Sequence, residues 1–184
     1  MRNAGRLPCS CTNISSPMPQ IRSFPPIVDT RATVLILGSM PGHASLDAAE
    51  YYAHPQNAFW KIMRHLLGLK SAATYAERTQ ALRDAGIGLY DVLRSCQREG
   101  SLDSSIDKDS QVANNFPRLF RGNPQISHVF FNGTHAETTF QRLVAPNLRG
   151  EPKQFARLPS TSPAHASLSF DQKLEAWRAV LKVR

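Results

Sequence analysis

Thr33-Val34-Leu35-Ile36-Leu37-Gly38 is a continuous run of β-branched and aliphatic residues closed by a glycine. Four apolar side chains in succession cannot all face one side of a half-exposed strand, so the run suits a strand covered on both faces, as in the middle of a parallel sheet. Working outward, Val129-Phe130-Phe131 reads as a second buried strand, residues 153–158 as a shorter one, and residues 87–93 can hold another. Between them Phe59, Ile62, Met63, Leu66 and Leu67 recur at helical spacing before Gly68, and a second helix over residues 75–85 ends at Gly86. Thr134 can cap a helix carrying Ala136, Phe140, Leu143 and Val144 ahead of Pro146. Ser169 with Gln172 three residues on forms a capping box for a last helix with the stripe Leu174, Trp177, Val180 and Leu181. Residues 94–115 read as polar and irregular. Strands alternating with helices predict an α/β fold, a three-layer α/β/α domain around a central, mostly parallel sheet whose site lies in loops at the carboxyl ends of the strands.

A chain of 184 residues accommodates one such domain, expected over residues 25–184. Residues 1–24, rich in Pro, Ser and Arg, read as a disordered basic arm or an upstream extension. Hydrophobic residues at 41% and charged residues at 20% are enough for a buried core. The 22 Lys and Arg exceed the 14 Asp and Glu by 22 − 14 = 8, an excess that favours polyanionic partners, nucleic acid first, and equally suits a merely soluble basic protein. No stretch approaches the roughly 20 apolar residues of a membrane span. Cys9, Cys11 and Cys96 fit neither a disulfide framework nor a four-thiolate metal site, and prolines interrupt any signal-like segment before residue 30, so a cytoplasmic location is expected.

Three loops follow three predicted strands and should meet at one sheet edge: Gly38-Ser39-Met40-Pro41-Gly42, Asn132-Gly133-Thr134-His135 and Pro159-Ser160-Thr161-Ser162-Pro163-Ala164-His165. The first lacks the glycine spacing of a dinucleotide loop and the Gly-Lys-Ser/Thr of a triphosphate loop. Ser39 or Ser162 with His135 or His165 would make a weak hydrolase, because no nucleophile elbow and no orienting acid accompany them. His43, His54 and His65 match no usual metal-ligand spacing. The stretch Tyr51-Tyr52-Ala53-His54-Pro55-Gln56-Asn57-Ala58-Phe59-Trp60 is richer, since its rings can stack a planar base and its amides can reach a base edge or a water. The plain alternative makes Phe59 and Trp60 core residues and Asn57 a helix cap. Tyr52 and Asn57 are therefore the functional candidates.

Three of these segments, Gly38 to Gly42, Tyr51 to Trp60 and, begun at Leu158, the run to His165, resemble the motifs of the uracil-DNA glycosylase superfamily, specifically its hypoxanthine-DNA glycosylase branch, over about residues 22–184. The resemblance implies an enzyme that flips a deaminated base, hypoxanthine first, out of double-stranded DNA and hydrolyses its N-glycosidic bond. A uracil or G·U mismatch glycosylase, or a non-catalytic DNA-binding module of the same fold, are the alternatives. Mismatch-specific relatives position the attacking water with the asparagine of a Gly-Ile-Asn-Pro-Gly loop, where this sequence has Met40. A thioether cannot do that work, and the resemblance moves the catalytic asparagine to Asn57 in Pro-x-Asn-x-Phe-Trp. It also implies that Tyr52 stacks on the base, that Gly38, Ser39, Met40 and Pro41 wall the base pocket with Asn132 at the base edge, and that Ser160, Thr161, Ser162, Pro163 and His165 contact DNA. No metal or organic cofactor is called for, and no recognisable pocket lysine would form a Schiff base, so a monofunctional enzyme leaving an abasic site is expected. Lys61, Arg64, Arg94 and Arg98 are candidate phosphate contacts or ordinary solvated charges. The helix stripes are no larger than one core consumes, and a monomer is expected.

Overall fold

A computed structural model describes residues 19–149 and 153–183. In chain order its elements are β1 (Gln20–Arg22), β2 (Val34–Gly38), α1 (His43–Ala48), α2 (Phe59–Leu67), α3 (Tyr75–Asp84), β3 (Ile87–Asp91), β4 (Leu93–Gln97), β5 (Val112–Ala113), α4 (Phe116–Gly122), β6 (His128–Asn132), α5 (Thr134–Leu143), β7 (Gln154–Leu158), α6 (Phe170–Trp177) and α7 (Ala179–Lys182). Strands β3, β2, β6 and β7 form a parallel sheet in that order.

Every residue of β2 is buried because it lies between two neighbours and under two layers. Val34 and Ile36 face a core made with Phe59, Ile62 and Met63 of α2, Leu82 of α3 and Trp177 of α6. Leu35 and Leu37 face the opposite core, with Phe116 of α4, Phe140 of α5 and Phe131 of β6. The strand's period-2 alternation thus distributes one apolar run between two helical layers, which is the three-layer arrangement its composition predicts.

The structure differs from the sequence reading in three places. Residues 20–22, assigned to the arm, form β1, which pairs antiparallel with β4, and Phe24 packs on the main core; the rest of the arm, residues 1–18, lies outside the described residues. The polar segment after residue 93 is not irregular throughout, for β4 and β5 complete a second, three-stranded sheet in the order β1-β4-β5. Its strands are short and partly exposed, so they carry no apolar run. Thr134 does not cap α5. Gly133 holds the cap position at φ 93°, where a Cβ would lie 2.8 Å from the Cβ of Ser160. Only glycine combines that backbone with so close a neighbour. The box of Ser169 and Gln172 forms as expected, with both reciprocal hydrogen bonds.

Gly133→Ala is expected to destabilise the fold by about 1–3 kcal/mol through backbone strain and the Ser160 clash, measured as a lower urea midpoint without a change in slope.

Candidate active site

The carboxyl ends of β2, β3, β6 and β7 open into one cavity of about 570 Å³. Its first wall is the loop after β2. The carbonyls of Gly38 and Ser39 accept from the N–H groups of Val92 and Leu93 at 2.8 and 3.1 Å, so the loop is an extension of sheet pairing. Ser39 Oγ donates to Asp103 Oδ1 at 2.7 Å. Arg98 lies beneath the loop, donating from Nη2 to the carbonyl of Pro41 at 2.6 Å and from Nε to that of Gly100 at 2.9 Å. Its side chain is fully buried, which removes Arg98 from the candidate phosphate contacts. Burial lowers its pKa from the ordinary value, but a guanidinium remains charged. Met40 packs with Leu93, Cys96 and Ile106, so its side chain serves a small apolar cluster.

The second wall runs from Tyr51 to Asn57. Trp60 Nε1 donates to the carbonyl of Tyr51 at 2.7 Å, and Tyr75 accepts from the Tyr51 N–H at 3.0 Å. Phe59 and Trp60 are core residues, as the plain reading held. Tyr52 adopts φ 55°, uncommon for a bulky residue, and its ring stacks on Phe59 with centroids 4.2 Å apart. That ring contact uses a face that the sequence reading reserved for a base. Asn57 borders the cavity, and its Oδ1 accepts from the N–H of Phe59 at 2.9 Å. The N-cap position itself falls to Ala58, yet the Asn57 side chain satisfies one of the free N–H groups at the start of α2.

The third wall is the loop after β7. Asn132 Oδ1 accepts from the N–H of Thr161 at 2.9 Å while its Nδ2 donates to Thr161 Oγ1 at 2.8 Å. The Thr161 carbonyl accepts from the N–H of Ala58 at 2.9 Å. From below, Trp177 Nε1 donates to the Pro159 carbonyl at 3.0 Å and Lys173 Nζ to the His165 carbonyl at 2.6 Å. Two expectations change here. Asn132 has its amide largely engaged by Thr161, and Thr161 is buried among these partners, leaving Ser160, Ser162, Pro163 and His165 on the rim. Among the described residues neither the Ser39 nor the Ser162 hydroxyl is hydrogen-bonded to a histidine ring: Ser39 Oγ donates to Asp103, Ser162 Oγ accepts from the N–H of Ala164, and His165 Nε2 meets Ser167 Oγ at 3.2 Å. A serine-nucleophile arrangement is not built. Among the described residues no cluster of three or more His, Cys, Asp or Glu is placed to hold a metal.

The family model of the uracil DNA glycosylase superfamily matches residues 25–181. The chain belongs to that superfamily. It is 36% identical over 163 residues to a hypoxanthine DNA glycosylase of Methanosarcina acetivorans, covering 88% of this chain and 98% of the relative. It is 39% identical over 113 residues to a hypoxanthine DNA glycosylase of Methanosarcina barkeri, covering 61% and 70%. A Methanosarcina acetivorans protein solved by NMR superposes with a TM-score of 0.74 at 33% identity, over 89% of this chain and 97% of that one.

In this superfamily member the cavity contains residues that the sequence reading did not single out. Asp91, the last residue of β3, lines it at 3% exposure, and Ser23 Oγ donates to its Oδ2 at 2.7 Å. Burial pushes the Asp91 pKa up to about 7, opposed by the Ser23 hydrogen bond and reinforced by the charge of Asp103. The ring of His135, weighed from the sequence only as the base of a serine hydrolase, also borders the cavity, its Nε2 buried without a hydrogen-bond partner among the described residues. One signal was available for Asp91: a lone acid at the carboxyl end of a parallel strand is where such folds place functional groups. For Arg98 and Asp103 the signal is tertiary, since both are defined by the loop they hold.

Because the folded pKa of Asp91 exceeds the unfolded one, its contribution to stability is intact below about pH 4 and is lost as pH rises through about 7. Asp91→Asn should remove this slope. The difference in unfolding free energy between variant and wild type is expected to move by a few kcal/mol in favour of the variant between about pH 4 and pH 8, read from urea unfolding.

Proposed function

We propose that the protein is a monofunctional DNA glycosylase of base-excision repair, acting as a cytoplasmic monomer on double-stranded DNA. It flips a deaminated base, hypoxanthine first, into the cavity and hydrolyses the N-glycosidic bond to leave an abasic site. The observation that carries this reading is the Asn57 amide on the cavity wall, locked through Oδ1 to the N–H of Phe59. The second lone pair of Oδ1 can then accept a hydrogen bond from the attacking water and orient it, and an oxygen already fixed by the helix start loses little freedom in doing so. The names of the two Methanosarcina relatives support the choice of hypoxanthine.

Base departure builds positive charge on the sugar and negative charge on the base, so the reaction needs a held water, donors toward the base and exclusion of bulk solvent. The three walled loops supply the enclosure. No lysine is among the residues lining the cavity, and Lys173 is spent on the His165 carbonyl, which supports hydrolysis by water over Schiff-base chemistry. Ser160, Ser162, Pro163 and His165, on the rim, would meet the DNA backbone and the gap left by the flipped nucleotide. The net charge of +8 would add salt-dependent, sequence-independent affinity.

The test is single-turnover incubation with end-labelled duplexes carrying one inosine, uracil or xanthine, followed by alkali to reveal abasic sites. Inosine excision is expected to exceed the others, and Asn57→Ala to lose at least about 100-fold in rate with duplex affinity kept. Absence of excision from every duplex, with binding intact, would instead identify a DNA-binding module that lacks the chemistry.

A further inference from the structure

At the cavity floor two polar atoms converge that the protein leaves incompletely satisfied. A Cβ placed on Gly38 would lie 2.4 Å from Asp91 Oδ1 and 2.8 Å from the Tyr52 hydroxyl, so both oxygens crowd the bare Cα of that glycine. Asp91 Oδ2 is occupied by Ser23, whereas Oδ1 faces the cavity side. The Tyr52 hydroxyl is buried and reaches no hydrogen bond of acceptable geometry among the described residues, although the Asn132 amide is near. Two features aim it there: the left-handed backbone of Tyr52, held at a cost, and the favourable stack of its ring on Phe59. Buried polar atoms left in this state call for a partner that the protein alone does not supply.

We infer that Asp91 and Tyr52 read the flipped base, their carboxyl and phenol O–H groups donating to the two lone pairs of its exocyclic carbonyl. The inference rests on the glycosylase reading above. Hypoxanthine and uracil carry a carbonyl at that edge, whereas adenine and cytosine carry an amine, which would set donor against donor. Tyr52 is thereby a hydrogen-bonding residue of the pocket as well as an aromatic one. Asn132 is released from base reading to hold the loop.

Asp91 must be neutral to donate, and its surroundings favour that. It forms no ion pair among the described residues. Arg98 is the cation whose charge acts on it, but two of that guanidinium's nitrogens are committed to the carbonyls of Pro41 and Gly100. Asp103, from the turn after β4, opposes ionisation. Tyr51 and Tyr52, from the segment after α1, and Tyr90 of β3 are neutral phenols whose own pKa values burial raises. His43, His54, His135 and His165 line the same cavity. A pH profile alone would therefore not identify Asp91.

The experiment is single-turnover excision by the full-length protein from duplexes bearing one deoxyinosine or one purine 2′-deoxyriboside, which has hydrogen in place of the carbonyl, from about pH 5.5 to 9. Wild type is expected to prefer inosine by about 100-fold at pH 6 and to lose that preference as Asp91 ionises. Asp91→Asn keeps an N–H donor at the Oδ1 position with its oxygen on Ser23, and at pH 9 it should retain an inosine preference that wild type no longer has. Asp91→Ala and Tyr52→Phe should each lower the preference about tenfold or more at pH 6, with duplex affinity and far-ultraviolet circular dichroism unchanged. Equal excision of both bases by wild type, or an alkaline loss of preference that persists in Asp91→Asn, overturns the inference and leaves the glycosylase reading standing. Failure of wild type to excise either base, or uracil or xanthine run beside them, removes the glycosylase reading itself. The comparison of two bases in wild type needs no variant, so a misfolded mutant cannot leave the question undecided.

Discussion

Thr161 spends its N–H, hydroxyl and carbonyl on two other loops. The first two engage the Asn132 amide and the third engages the N–H of Ala58, next to Asn57. Each hydrogen bond contributes modestly to net stability, but removing one partner in a buried setting strands the other at a larger cost. The three loops therefore have one arrangement or a poor one. The cavity exists because segments about 30 and 100 residues apart in sequence close on a single buried threonine, itself underpinned by Trp177 and Lys173 from α6. Sheet order brings the strand ends to one edge, and this clasp turns neighbouring loops into a wall.

The first loop is held by a different device. Its carbonyls are taken by Val92, Leu93 and Arg98, and its hydroxyl by Asp103. A wholly buried arginine is expensive unless paired and hydrogen-bonded, and here the return is backbone placement: the Pro41 and Gly100 carbonyls share one guanidinium. With the backbone so tied, the side chain at position 40 need only fill space. Met40 does so against Leu93, Cys96 and Ile106, and a flexible thioether suits an irregular gap. The departure from the asparagine of mismatch-specific relatives is thus a consistent local solution in which loop rigidity no longer depends on a polar side chain.

These particulars explain what could be read from residues alone. β2 and β6 are legible because burial on both faces demands apolar runs, and α6 because its capping box is local in sequence. The second sheet is not legible: β1 and β4 pair Ile21 with Cys96, their residues are largely polar, and nothing local in either announces the other. The cavity-lining loops were legible as motifs, but their division of labour was not. Whether Asn132 serves a base or a loop depends on where Thr161 stands, and whether Arg98 meets phosphate or the protein interior depends on the path of residues 38–42. Composition treats both arginine readings alike; packing decides between them.

In the role we propose for it, Asn57 would carry a structural and a catalytic duty without conflict. The start of α2 needs an acceptor for its first free N–H groups, and a side-chain amide oxygen supplies one while keeping a second lone pair. An amide pinned in this way keeps its remaining lone pair and its N–H groups in a fixed orientation beside the cavity, whereas a freely rotating asparagine would have to be ordered in the transition state. Although Ala58 holds the N-cap position, the hydrogen bond that ties the Asn57 side chain to the helix start suits it to the water-holding role we propose. Asp91 follows the same logic at the cavity floor: the Ser23 hydroxyl fixes one carboxyl oxygen and thereby fixes the direction of the other. In both residues a hydrogen bond that looks merely structural determines which atom is left facing the cavity.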